Sequence, residues 1–176
     1  MVEMQKLWYL IIWLKRIRHC RGFGIQSPSD YWLVRYVINE HWPYYPYDDL
    51  GISSDWLERK LGRLYFRLSN WRQPKVVESD GYHEYFQAGC KDLVFGPSSE
   101  MVRLVINDSD YHQKLLSIYN KVEDNTVLII EGINRNKRFW QSVKEDDRTS
   151  ITFDLYYCGI VLFDKKRHKM NYVINF

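Results

Sequence analysis

Cysteine, glycine and uninterrupted apolar runs are all scarce in this chain, and each scarcity removes a class of protein. The three cysteines, Cys20, Cys90 and Cys158, are odd in number, widely spaced and without a CxxC pair. That arrangement supplies neither a disulfide framework nor a zinc ribbon, and it fits a reducing, cytoplasmic setting. Cys90 and Cys158 also lack a His or Asp companion at an informative spacing, so nucleophilic catalysis has no support. The one strongly apolar run, Leu7 to Leu14 (LWYLIIWL), has eight residues, whereas a bilayer crossing needs about 20. It is no transmembrane segment, and Lys15, Arg16, Arg18 and Arg21 follow it, the reverse of a secretory signal. The nine glycines form no phosphate-binding loop of the Walker type. A formal net charge of +3 is too mild to imply nucleic acid by itself.

What is present is a core. The 176 residues are 45% hydrophobic, enough for one domain with a buried interior. From Met101 the chain reads MVRLVIND, then SDYHQKLLSIYNKVEDN, then TVLIIEGI: a β-branched run, a helical pattern and a second β-branched run, making one β-α-β unit. Both strands are apolar without alternation, as parallel strands covered on two faces must be. The expected fold is α/β, with a Rossmann-like, mostly parallel sheet reduced in strand number. Residues 1–72 form an N-terminal helical cap and 73–176 the sheet domain, packed as one globular unit and carrying an antiparallel C-terminal hairpin.

Along the cap, Leu7, Leu10, Ile11, Leu14 and Ile17 share one helical face while Trp8, Tyr9, Ile12 and Trp13 make the reverse side apolar too. Such a helix calls for burial all round, between the domain and another segment or a second subunit; an interfacial membrane helix with a basic collar is the alternative. Ser27-Pro28 starts a helix running to about Glu40. The aromatic loop from Trp42 to Tyr47 can stack on a base through Tyr44, Tyr45 and Tyr47, or seal a core edge. Ser54 caps a helix from Asp55 to about Asn70, with Arg59, Lys60, Arg63 and Arg67 as a flanking stripe. That stripe reads as a solvated cationic face, with phosphate binding as the alternative. Short strands at Val76 to Glu78 and Asp92 to Phe95 flank a helix from Tyr82 to Ala88. Asn134 caps a helix to about Lys144, ITFDLYY and GIVLF form the hairpin, and YVINF closes the chain.

This order, with the phrases GFGIQSPSDYWLVRYVI, YYPYDDL and TFDLYYCGIVLF, resembles a bacterial subgroup of class I S-adenosylmethionine-dependent methyltransferases. The likeness covers Arg21 to Leu50, Leu61 to Glu78 and Met101 to Phe176. In the family the first strand ends in an acid and runs into a glycine-rich turn. The matching stretch here, Glu78-Ser79-Asp80-Gly81-Tyr82-His83, keeps the acid but one glycine only, so side chains obstruct close approach. The family's Asp after the fourth strand corresponds to Asn107, and its acids and histidine after the fifth strand to Glu131, Gly132 and Asn134. The resemblance thus implies vestigial cofactor contacts at Glu78, Gly81, Asn107 and Glu131, and no catalytic residue.

Chain length points the same way. Only 29 steps separate Glu78 from Asn107, and a β-α-β unit takes roughly 30 residues, so one intermediate strand fits where the family places more. No acid ends a second strand to grip a cofactor ribose. The expectation is a degenerate methyltransferase-like protein that binds no S-adenosylmethionine and acts as a binding or assembly domain, a homodimer through the Leu7 to Ile17 helix. An S-adenosylmethionine-dependent methyltransferase acting on a small hydroxyl compound is the second reading, and an RNA-binding module the third. Asp108, Asp110 and His112 crowd one loop, but Asp110 reads equally as a helix cap and no metal is assigned. His83 and Glu84, about 100° apart on a helix, do not face each other. Lys165 to Lys169 (KKRHK) reads as a solvated turn, forming a phosphate-binding surface only if it meets the other basic groups.

Overall fold

The computed structural model describes residues 2–50, 55–106 and 110–176. Ser54, Asn107 and Asp108 lie outside the described residues. The element order is α1 (Val2–Lys15), a 3-10 segment (Ile17–Gly22), α2 (Pro28–Leu33) prolonged by a π-helical turn (Val34–Ile38), α3 (Pro46–Asp49) and α4 (Trp56–Arg72). There follow β1 (Val76–Glu78), α5 (His83–Gly89), β2 (Val94–Phe95), β3 (Met101–Val105), α6 (Tyr111–Tyr119) and β4 (Val127–Glu131). The chain ends with α7 (Lys137–Glu145), β5 (Ile151–Asp154), β6 (Cys158–Leu162) and β7 (Met170–Val173). The seven strands form one sheet in the order β2-β1-β3-β4-β6-β5-β7. The first four are parallel, β6 runs antiparallel to both β4 and β5, and β7 pairs parallel with β5.

The expected α/β architecture is therefore observed, including the hairpin. Val77, Met101, Ile129, Phe153 and Ile160 face Ile12, Val34, Leu64, Tyr65 and Phe86 from the cap helices and α5. Val102, Leu104, Leu128, Ile130 and Val161 face Leu115, Ile118, Phe139 and Trp140 of α6 and α7. Period-2 alternation divides each strand between these two cores, which is why β3 and β4 read as unbroken apolar runs. One strand, only two residues long, lies between β1 and β3 in sequence, as the spacing requires. The return from β2 to β3 is a strap over 96–100 without a helix. Ser98 Oγ ties it to Val76 O at 2.6 Å, and Ser98 N donates to Glu78 Oε2 at 3.0 Å.

Several boundaries differ from the pattern. Ser27 does cap α2, accepting from Asp30 N, but Asp55, not Ser54, caps α4 by accepting from Leu57 N at 2.8 Å. That helix runs on to Arg72 and stops at Gln73, left-handed at φ 50, with Pro74 barring continuation. Asn136 rather than Asn134 caps α7, accepting from Phe139 N at 3.0 Å. Residues 132–135 form a turn first, with Gly132 at φ 85. The most apolar helix departs furthest: only one side of α1, through Ile12 and Tyr9, packs on the domain, Tyr9 meeting Trp56 and Tyr157. Leu7, Trp8, Leu10, Trp13 and Leu14 remain exposed.

Two acids, buried Asp30 and half-buried Asp154, tie the cap to the hairpin end. Asp154 takes Arg16 Nη2 at 2.6 Å and Trp140 Nε1 at 3.0 Å. Asp30 takes Arg167 Nη2 at 2.6 Å and the Tyr172 hydroxyl at 3.0 Å. KKRHK is the exposed turn its composition suggests, except that Arg167 is anchored on Asp30 and Lys169 Nζ donates to Asp146 O at 2.5 Å. Among the described residues no helix is long and apolar enough to cross a membrane.

Candidate functional site

In open α/β sheets a ligand crevice opens at the carboxyl ends of the strands, at the point where strand order reverses. Here β1 is followed on one side by β2 and the chain then returns to β3 on the other, so the reversal lies between β1 and β3. Ser79 to Tyr82 leave β1 at this point, and Glu131 ends β4 nearby. Among the described residues, Arg103 stands on the α4 side of the crevice, paired with Asp80 and Glu131.

Arg103 follows Met101 by two residues in β3, so it shares the face turned to α4. Its side chain is 8% exposed. Nε and Nη2 both donate to Glu131 Oε2, at 3.0 and 2.7 Å, and Nη1 pairs with Asp80. The guanidinium also lies over the Tyr82 ring, 4.8 Å from its centroid, and 5.8 Å from that of Tyr65. Tyr65, on α4, donates its hydroxyl to the same Glu131 oxygen at 2.8 Å. Its ring stacks on Phe86 and meets Tyr82 edge-on.

Electrostatics close the cluster. Burial works against the Arg103 charge, but Glu131 and Tyr65 outweigh it and raise its pKa. Burial, then the Glu131 carboxylate, pushes the Tyr65 phenol well above its ordinary value, keeping it a donor. Cys158 beneath is raised by burial and then Glu131, an inert thiol.

The sequence-derived site residues scatter in role. Glu131 is the hub of the cluster, and Gly81 lies beside it, a Cβ there standing in ordinary contact, 3.6 Å from Arg103 Nη1. Glu78 points to the opposite face and is spent on Ser98 N. Asn107 lies outside the described residues. Arg103, Tyr65 and Tyr82 escaped the sequence reading, although an arginine inside the apolar run MVRLV is itself a signal of a buried charge awaiting partners.

A second arrangement lies beyond α4. The stripe read as a solvated cationic face is one only in part: Arg63 is exposed and Arg59 and Lys60 half-buried, but Arg67 is 7% exposed. It donates to Val37 O at 2.5 Å, Ile38 O at 2.9 Å and the Tyr47 hydroxyl at 3.2 Å, capping carbonyls that the π-helical turn leaves open. Tyr44 and Tyr47 pack on Phe66 and seal that core edge, whereas Tyr45 is exposed. Arg59, Lys60, Arg63 and Arg67 line a cavity of about 570 Å³ with Trp42 and Trp56. Lys165, Arg167 and Lys169 line a separate recess with Arg148, apart from the α4 stripe. His83 contacts Ser79 O and the Phe95 ring, apart from any work with Glu84. His112 packs on Tyr111 and Phe139.

The fold is a Rossmann-like, mostly parallel seven-stranded α/β sheet, with Arg103 paired to Glu131 and Asp80 at the switch point. No protein-family model, curated protein or solved structure matches the chain.

The buried cluster makes a quantitative prediction. Removing Arg103 leaves Glu131 uncompensated, so Arg103→Ala should lower stability by about 3–5 kcal/mol in urea unfolding. Asp80→Ala, at a solvent-facing partner, should change it by less than about 1 kcal/mol. Equal effects from the two substitutions would contradict the assignment of Glu131 as the principal partner.

Proposed function

We propose that the chain is a methyltransferase-like domain without catalysis, working as a binding or assembly unit. The observation that carries this reading is Arg103, held by Glu131 and Asp80 across the α4 side of the switch-point crevice. A nucleoside entering there would have to expel a guanidinium that Glu131 neutralises, leaving a half-buried carboxylate without its cation. Two features support it further. Glu78, the acid that the resemblance assigns to the cofactor, is engaged by the 96–100 strap, and β2 ends at Phe95-Gly96 with no acid for a ribose. S-adenosylmethionine therefore does not fit the residues present, and no step is routed through it. The alternative, methylation of a small hydroxyl compound around Glu78, Asn107 and Glu131, would need Glu131 released from both Arg103 and Tyr65. The buried thiols of Cys90 and Cys158 support a reducing compartment.

Calorimetric titration of the protein with S-adenosylmethionine, and with S-adenosylhomocysteine in parallel, should give no saturable heat. A micromolar dissociation constant for either would overturn the reading. The assembly role rests on the outward side of α1, where Leu7, Leu10, Leu14 and Ile17 are exposed together. Sedimentation equilibrium should give a dimer that Leu10→Glu/Leu14→Glu converts to monomer. A wild-type monomer that instead floats with anionic vesicles would replace the dimer by a membrane contact.

A further inference from the structure

The cavity beyond α4 has features that neither core packing nor the Arg103 cluster explains. Its volume of about 570 Å³ falls within the range of small-molecule sites, about 300–1,000 Å³. Arg59, Lys60, Arg63 and Arg67 stand along its α4 wall, and positions 59, 63 and 67 recur at i, i+4, i+8, which stacks them on one helix face. The lining includes one side-chain carboxylate, Glu40, already accepting from the Tyr44 hydroxyl at 2.7 Å. Lys60 is drawn between the rings of Trp56 and Phe176, 4.6 and 4.4 Å from their centroids. Burial, then Arg67, pushes its pKa down to about 8. Arg63 lies over the Tyr47 ring at 4.8 Å. Among the described residues, neither Lys60 nor Arg63 has a carboxylate partner.

The rim carries the complementary half. Trp42 is 73% exposed and Trp56 42% exposed, two large rings bordering a cationic recess. Asn39, Glu40, His41 and Trp42 also border a second recess of about 300 Å³, where Arg21 and Arg35 stand. The two recesses meet at this rim: His41 is lowered by burial and then by Arg67, Lys60, Arg21 and Arg35 together. Asn39 lies in both walls, 7% exposed, and its Nδ2 has no hydrogen-bond partner among the described residues. A donor without an acceptor, beside Lys60 and Arg63 without a carboxylate among the described residues, is a costly arrangement for a fold to maintain alone.

The geometry points to a nucleotide site in which phosphate oxygens take Lys60 and Arg63 and the base stacks on Trp42. Phosphate accounts for Lys60 and Arg63, and a flat ring accounts for the exposed indole at their edge. The second recess, which shares the Asn39 to Trp42 wall, receives a further phosphate. Two sources share this chemistry, a free nucleoside di- or triphosphate and a single-stranded nucleic acid. The site shares no residue with the crevice. It gives the proposed binding domain a ligand, yet S-adenosylmethionine binding would defeat the earlier reading and leave this one standing.

Tryptophan fluorescence titrations of the full chain with ADP, ATP and an eight-nucleotide oligouridylate, in low and in moderate salt, test it. At least one probe should quench the signal with a sub-millimolar dissociation constant that weakens as salt rises. Arg63→Glu, read by calorimetry, should weaken that binding at least tenfold, Trp42→Ala should do likewise, and Lys166→Glu, remote from the cavity, should change it less than twofold. Circular dichroism melts keep the variants interpretable, since Arg63 and Trp42 are exposed and neither substitution should move Tm by more than a few degrees. Preference for ADP or ATP assigns a free nucleotide, and preference for the oligomer assigns a strand; either supports the site. Saturation by none of the probes overturns it, as does binding that ignores Arg63→Glu. Binding that survives Trp42→Ala intact overturns it too, because it would be inorganic anion capture without stacking.

Discussion

A charge buried in a parallel sheet has to be neutralised on the spot, and the crevice is organised by that constraint. Arg103 sits in β3 where an apolar side chain would be expected, two residues from fully buried Met101. Its guanidinium is held by Glu131 from the next strand, by Asp80 from the loop after β1, and by the faces of Tyr82 and Tyr65. These four partners come from three elements, so the ion pair and its flanking rings fix the β1 loop, β4 and α4 relative to one another. A partly satisfied cluster of this kind would be worse than an apolar one; with Tyr65 donating to Glu131 it is satisfied.

The economy of chain between β1 and β3 has the same consequence on the other face of the sheet. A parallel return normally carries a helix, which covers the strand it crosses. Here a five-residue strap over 96–100 does so, and its fixings are Ser98 and the Glu78 carboxylate. The acid at the end of the first strand is committed to holding the fold together, as Glu131 is committed to Arg103. Both carboxylates that the layout offers for ligand work are occupied with structure.

The architecture was legible because its signals are collective. Unbroken apolar strands, turn residues after β1, and the short spacing to β3 each constrained the sheet independently, and all agreed. The crevice was harder to read, because Arg103, Tyr82 and Tyr65 are far apart in sequence and meet only through the sheet register and the packing of α4. Charge patterning misled at Arg67: i, i+4 spacing shows which residues share a face, not whether that face meets solvent or the open carbonyls of a neighbouring turn. Apolarity misled at α1, where a helix hydrophobic on all sides was expected to be covered and one side of it is not. Cap positions moved by one or two residues, as at Asn136, because a turn at Gly132 intervened before the helix could start.

The central claim is that the protein's own side chains occupy the place of a nucleoside. A crystal structure of the protein grown with saturating S-adenosylhomocysteine tests this most directly. The expected result is Arg103 between Glu131 and Asp80 beneath Tyr82, with solvent alone around Ser79 to Gly81. Arg103 turned out of the crevice, with adenosine density between the β1 loop and the end of β3, would contradict it.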